Sequence, residues 1–268
     1  MSRLLPDELW EKIEAHLPPQ ERSPRGGRPA VPHKQALLGI LLVAKTGMQW
    51  NALPWEAFEC SGVTCWRRLR DWQDAGIWQR IHQDLLRELD WIGGIDWSRG
   101  VVDADSIPGK KRGDCTGKNP TDRGRLGTKR HVLTDARGTP LCVVFSGANR
   151  HDSVMLEPLL DAFHGIKRPG GPGRPKKRFK KLHADKAYDF PRCREALRQR
   201  SMTPRIARRQ VESKDTLGKH RWVVERTMSW FDGFRKLRIR DERNLEHFKA
   251  LHSIACIFIC FRQLQRFS

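Results

Sequence analysis

The spacing of apolar residues changes once along this chain, just after Gly93-Gly94. Before that point it follows a period near 3.6, the signature of helices with one buried face. LPDELWEKIEAHL places Leu5, Leu9, Ile13 and Leu17 on one side, with Asp7 as a candidate cap. QALLGILLVAKTG predicts a short apolar helix stopped near Gly47. GVTCWRRLRDWQDAGIWQRIHQDLLREL predicts two amphipathic helices separated by Gly76. Over Gly62–Asp90 this fits a helix-turn-helix arrangement, with Arg67, Arg68 and Arg70 on a helix able to enter a DNA groove.

After Gly94 the period becomes 2. RGVVDADSI, KRHVLTD and PLCVVFSG read as three strands, the last two joined by a turn at Ala136–Thr139 and therefore antiparallel. A helix (HDSVMLEPLLDAF, with Asp152 as a candidate cap), a strand (KLHAD), a helix (FPRCREALRQR), a strand (TPRIA) and two further helices follow. Three consecutive strands and then alternating helix and strand predict an α/β fold: a mixed sheet with helices on its faces. The expected domains are 1–92, small, all-α and helix-turn-helix-like, and 98–266, built on the sheet.

Charge divides at nearly the same place. The 268 residues carry 51 Lys+Arg and 31 Asp+Glu, a net +20. Residues 1–100 hold 13 basic and 13 acidic side chains, whereas residues 101–268 hold 38 and 18. The whole excess therefore lies in the second part, where a polyanionic partner is expected. Its densest stretch is residues 165–210, with 16 basic and 3 acidic residues, including the loop IKRPGGPGRPKKRFKK. Lys176, Lys177, Arg178, Lys180 and Lys181 of that loop are candidate DNA contacts, and GKKRGDCTGKNPTDRGR is a second candidate track.

Other classes are excluded or disfavoured. The apolar runs Ala36–Ala44 and Ile254–Phe261 are too short to cross a bilayer of about 30 Å as a helix. Asp7 and Glu8 interrupt any signal-peptide pattern at the start. Seven cysteines without a disulfide-scaffold layout predict reduced thiols and a cytoplasmic protein. His252, Cys256 and Cys260 recur every four residues, but they sit in the apolar run IACIFIC, where core packing is the expected role. Eight of the ten tryptophans lie between Trp10 and Trp97 and are expected to build the helical core. No GxxxxGK[ST] pattern indicates an ATP-driven motor. The sole tyrosine, Tyr188, has no accompanying metal cluster of the His-hydrophobe-His kind, so a tyrosine nucleophile finds no support.

Phosphodiester chemistry by metal-activated water requires carboxylates that converge from different elements. Asp103 and Asp105 lie two apart in VVDADS and hence on one strand face. Asp185 ends KLHAD, and Glu225 lies mid-helix in HRWVVER with Arg221 one turn earlier. An acid inside an apolar strand is costly unless it is paired or metal-bound.

VVDADS, HADKAYD and HRWVVERTMSWF, in this order, resemble the three acidic blocks of the DDE transposases of bacterial insertion sequences. The segment DRGRLGTKRHVLTDARGTPLCVVFSGANRHDS and the front end, from LLPDELWEKIEAHLPP to WRRLRDWQDAGIW, resemble the same family, so the similarity covers roughly residues 4–264. It implies a ribonuclease-H-like catalytic domain after an N-terminal insertion-element domain. It also implies catalytic, metal-binding roles for Asp103, Asp185 and Glu225, with Asp105 an alternative first acid, and a Mg²⁺ pair for which Mn²⁺ substitutes. Arg221 would hold a phosphate, with His220 and Lys186 as further candidates. The family's third block has the form Tyr-x2-Arg-x3-Glu-x6-Lys; here Gly218 and Asp232 occupy the tyrosine and lysine positions, leaving Arg235 and Lys236 as nearby cations. The implied activity is cleavage at the element ends and transfer of the freed 3′-hydroxyl into target DNA. The implied partners are the terminal inverted repeats and target DNA, and a homodimer or larger assembly when two ends are synapsed, in the bacterial nucleoid. A metal-dependent nuclease of the same fold and an inactive DNA-binding regulator are the alternatives.

Overall fold

The computed structural model describes residues 4–20, 29–167, 174–209 and 214–267, with the side chains of 214–221 outside the description. The helical segment comprises α1 (Asp7–Glu14), α2 (His33–Thr46), the single turn α3 (Trp55–Phe58), α4 (Gly62–Asp74) and α5 (Ile77–Trp91). Gly47 ends α2 in the left-handed region (φ 76°), and Gly76 separates α4 from α5 in the same conformation (φ 68°), so the two predicted stops are real. Asp7 is not a cap. It is the first helical residue, Pro6 holds the cap position, and the Asp7 carboxylate pairs with Lys34 at 3.1 Å.

The second part contains β1 (Arg99–Pro108), β2 (Gly117–Lys118), β3 (Leu126–Thr134), β4 (Pro140–Gly147), α6 (Leu156–Ala162), β5 (Lys181–Ala184), α7 (Pro191–Gln199), β6 (Thr203–Ile206), α8 (Lys214–Asp232) and α9 (Leu245–Phe267). Before α6, the expected cap Asp152 instead starts a short 3-10 turn. The His151 ring accepts the Ser153 amide, and Asp152 pairs with Lys129 at 2.8 Å.

β3 runs antiparallel to both β1 and β4, β5 lies parallel to β1, and β6 lies parallel to β5. The order across the sheet is β4-β3-β1-β5-β6, with β2 on the first residues of β3. Three antiparallel strands continued by two parallel ones is the ribonuclease-H-like arrangement, as expected. Directly paired residues share a face. The pairs Asp103↔Val132, Asp105↔Arg130 and Arg130↔Phe145 therefore define one face, and Lys129 and His131 project from the other.

Helices α8 and α9 cover the first face. Phe231 of α8 lies under the Arg130 guanidinium at 4.7 Å, and His252 of α9 packs against Phe145 at 4.8 Å and Phe231 at 5.9 Å. Helices α4 and α5 pack on α9, and one hydrophobic core runs from Leu9 and Trp78 to Phe258. His252, Cys256 and Cys260 are buried in it, which is the predicted core role. Burial lowers the His252 pKa well below its ordinary value and raises both thiols. Trp10, Trp72 and Trp78 are core residues as expected, while Trp55 and Trp91 are exposed. Among the described residues no helix is long and apolar enough to cross a membrane.

Candidate active site

β1 and β5 are adjacent and parallel, with Arg99↔Lys181, Gly100↔Leu182 and Val101↔His183 in register. β5 ends at Ala184; continued two residues past Val101↔His183, this register would bring Asp103 level with Asp185, the first residue after the strand. Asp103, like Asp105, belongs to the face under α8. Each is oriented by a backbone amide: Asp103 Oδ1 accepts from its neighbour Ala104 at 2.8 Å, and Asp185 Oδ1 accepts from Ala187 at 2.8 Å. The second bond caps the 3-10 turn Lys186–Tyr188, which fixes where β5 ends.

Asp105 has a different occupation. Arg130 is fully buried and donates from Nε and Nη2 to the two Asp105 oxygens at 2.9 and 2.5 Å. Asp232 adds a longer contact at 3.5 Å. A buried guanidinium needs such a forked carboxylate partner. Asp105 is thereby the counter-ion of Arg130, which leaves Asp103 as the candidate acid of this strand. The signal for Arg130 was present in the sequence, since a charge inside the apolar strand KRHVLTD is the same anomaly that singled out Asp103.

Tyr188 completes the acidic region. It is 1 % exposed, and among the described residues its hydroxyl has no hydrogen-bond partner. Burial first, then the charges of Asp152, Asp103 and Asp185, hold its phenol well above the ordinary range. A buried, firmly protonated phenol is no nucleophile for DNA, in line with the expectation. The charges of Asp152 and of both candidate acids thus all reach Tyr188, a convergence that sequence spacing did not reveal.

Glu225 is exposed on α8, which packs against β1, β3 and β5. The helix is seated by the β3–β4 turn: Thr227 Oγ1 donates to the Gly138 carbonyl at 2.7 Å and Arg226 Nη2 to the Arg137 carbonyl at 2.6 Å. Among the described residues no group of three His, Cys, Asp or Glu side chains is arranged to hold a metal ion, so Asp103, Asp185 and Glu225 are not gathered into one such group. The side chains of His220 and Arg221 lie outside the described residues. Lys186 is half-buried in the turn after Asp185. Lys236 is no substitute for the missing family lysine: it is 5 % exposed and bound to Asp241 at 2.9 Å, whereas Arg235 is exposed.

Of the predicted basic loop, Lys176, Lys177, Arg178 and Lys180 are exposed, and Lys181 is half-buried at the start of β5. Lys176 also reaches toward Asp90 at 3.7 Å and stacks on Trp97 at 4.7 Å. Residues 168–173 of the loop, like residues 21–28 of the front-end Pro/Gly/Arg segment, lie outside the described residues.

Two family models match this chain. One, described as a putative transposase of the IS4/5 family, covers residues 5–82, and one described as a transposase DDE domain covers residues 97–260. A putative transposase for insertion sequence element IS402 of Burkholderia cepacia is 48 % identical over 151 residues, 56 % of this chain and 71 % of the relative. An uncharacterized 16.2 kDa protein of the same element and organism is 49 % identical over 119 residues, 44 % of this chain and 81 % of the relative. The solved Mos1 mariner paired end complex with Mn aligns over 94 % of this chain and 86 % of that chain. At 10 % identity and a TM-score of 0.26, that alignment carries no structural argument.

Proposed function

Because this chain belongs to the DDE-domain transposases of insertion sequences, we propose that it cuts DNA at the ends of its element and joins the freed 3′-hydroxyl to target DNA, with Asp103, Asp185 and Glu225 as the catalytic carboxylates. The observation that supports the site assignment is the β1–β5 register, which, continued past the end of β5, would bring Asp103 level with Asp185. Carboxylates held by a rigid sheet are the oxygen donors that a hard divalent cation takes. Mg²⁺, with Mn²⁺ able to substitute, would be held there and would supply Lewis-acid activation of the attacking oxygen and charge stabilisation of the leaving oxygen.

The protein's own groups position the reactants. Asp103 and Asp185 are pre-oriented by the Ala104 and Ala187 amides, so binding requires little rearrangement. Glu225 contributes the third carboxylate from α8. Arg221 offers a forked donor to a phosphate, with His220 and Lys186 beside the second and third acids. Cutting breaks the bond between phosphorus and the 3′-oxygen, with a water oxygen taking its place; joining repeats the in-line displacement with the 3′-hydroxyl as attacker. In this reading residues 98–266 are the catalytic unit and residues 1–92 the unit for end recognition or assembly. The exposed Lys176, Lys177, Arg178 and Lys180, with Lys181, form the adjoining phosphate track. Two such chains would synapse the two element ends, a cytoplasmic, nucleoid-associated task.

The test is incubation with duplexes carrying the element's terminal inverted repeats, unrelated target DNA and Mg²⁺. Covalently joined products support the proposal, while hydrolysis alone would point to a nuclease and retention without cutting to a regulator.

A further inference from the structure

Five cations from four separate segments gather on the side of the molecule formed by α8, α9 and the end of α2. They are Lys45 of α2, Arg137 of the β3–β4 turn, Arg226 of α8, and Arg262 and Arg266 one turn apart on α9. Among the described residues none of the five forms an ion pair with a carboxylate. Three of them, Lys45, Arg137 and Arg226, lie against aromatic faces. Lys45 Nζ lies 3.2 Å from the centre of the Phe234 ring. Arg226 is sandwiched between Trp222 at 4.5 Å and Trp230 at 4.6 Å, and Arg137 stacks on Phe267 at 4.5 Å. Trp230, Ile259, Arg262, Gln263 and Arg266 line a shallow depression between α8 and α9.

The cations act on one another. Burial first, and then the charge of Arg262, lower the Lys45 pKa to about 8. Burial and then Arg266 lower that of Arg226. Asp135, which acts on Arg226 in the opposite sense, does not neutralise the group. It is fully buried and occupied by the backbone amides of Asp96, Arg137 and Thr139. Like charges on adjacent helical turns repel, and among the described residues no carboxylate forms an ion pair with Arg262 or Arg266. Ring stacking and bonds to backbone carbonyls fix the Arg137 and Arg226 guanidiniums, while the exposed Arg262 and Arg266 present their donors outward, where phosphate oxygens can reach them.

We infer that this face binds the sugar-phosphate backbone of duplex DNA, as a second contact track separate from the loop at residues 174–181. The inference rests on the transposase reading for its choice of DNA as the polyanion. With no deep groove and only cations and ring edges on offer, the contact is independent of sequence.

The test uses the full-length protein and an unrelated duplex of about 20 base pairs, in Mg²⁺-free buffer over a range of salt concentrations. Each phosphate contact contributes about 0.9 to the slope of log K against log salt. Replacing both Arg262→Gln and Arg266→Gln is expected to make the slope shallower by about 1.8, with the melting temperature unchanged because both side chains are exposed. The double change to Lys is expected to restore the slope, since charge rather than fork geometry sets counter-ion release. Lys12→Gln, which removes a cation paired with Glu88 at 2.7 Å, is expected to leave it unchanged. A wild-type slope in the double glutamine variant would overturn the inference and leave the transposase reading standing. Failure of the wild-type protein to bind any duplex would overturn both.

Discussion

Asp105 and Arg130 face each other across β1 and β3, joined by two parallel hydrogen bonds of 2.9 and 2.5 Å, with Arg130 wholly buried. This pairing separates two acids that lie only two residues apart. Asp105 neutralises a buried guanidinium, and Asp103 is the acid of β1 left as the candidate for chemistry.

The two acids should therefore fail differently when altered. Asp105→Ala strands the Arg130 charge and is expected to lower unfolding stability by about 3 kcal/mol. Asp103→Asn keeps the shape and is expected to change stability by less than about 1 kcal/mol while abolishing DNA cutting. Urea unfolding of both variants alongside a cutting assay checks the assignment, and a stable Asp105→Ala protein would contradict it.

Gly138 governs the seat of α8. Its φ of 84° disfavours any side chain, and an added Cβ would lie 2.9 Å from Thr227 Oγ1 and 3.1 Å from Val223 Cγ1. Gly138→Ala is expected to cost about 1–3 kcal/mol and to shift the helix that carries Glu225. Cutting should fall more than duplex retention does; a variant with wild-type cutting would show that α8 tolerates displacement.

Buried histidines predict an acid limit to stability. Burial depresses the pKa of His82 and of His131 to about 4, although the Pro140 carbonyl that accepts from His82 and the charge of Asp152 near His131 oppose the shift. A depressed folded pKa means that the unfolded chain binds protons first. The contribution is complete above the ordinary value of 6.5 and is lost as pH falls from 6.5 toward 4. Each group contributes a slope of up to about 1.4 kcal/mol per pH unit in that window. Urea midpoints measured from pH 7.5 to 4 should decline accordingly, and His82→Gln should flatten the decline; a midpoint independent of pH would contradict the burial argument.

Removal of divalent cations should separate binding from chemistry. With EDTA present, retention of duplex DNA is expected to persist, because lysines and arginines supply it, while cutting stops and returns on addition of Mg²⁺ or Mn²⁺. Cutting that continues in EDTA would remove the metal from the account.

Much of the architecture was legible because each strand and helix here carries its own period. VVDADS, KRHVLTD and PLCVVFSG alternate, and the long helices are amphipathic or, like IACIFIC, apolar throughout. The caps were misread at Asp7 and Asp152 because each carboxylate finds a lysine elsewhere in the fold, at Lys34 and Lys129. The choice between Asp103 and Asp105 was illegible from spacing, since both point the same way; Arg130, on another strand, engages Asp105 and so favours Asp103. Lys236 looked like a free cation for want of any sign that Asp241 would bury it. The cluster of Lys45, Arg137, Arg226, Arg262 and Arg266 was hidden for a similar reason. In sequence each is one more charge on a helix or turn, and only the packing of α2 and α8 around α9 collects them.

The central claim is that Asp103 and Asp185 act together as the phosphoryl-transfer site, and Asp185→Asn measured for duplex retention and for Mg²⁺-dependent cutting of terminal-repeat DNA tests it most directly. The account predicts retention within about twofold of wild type, since one neutralised carboxylate removes no phosphate contact, and no detectable cutting. Undiminished cutting by Asp185→Asn would contradict it.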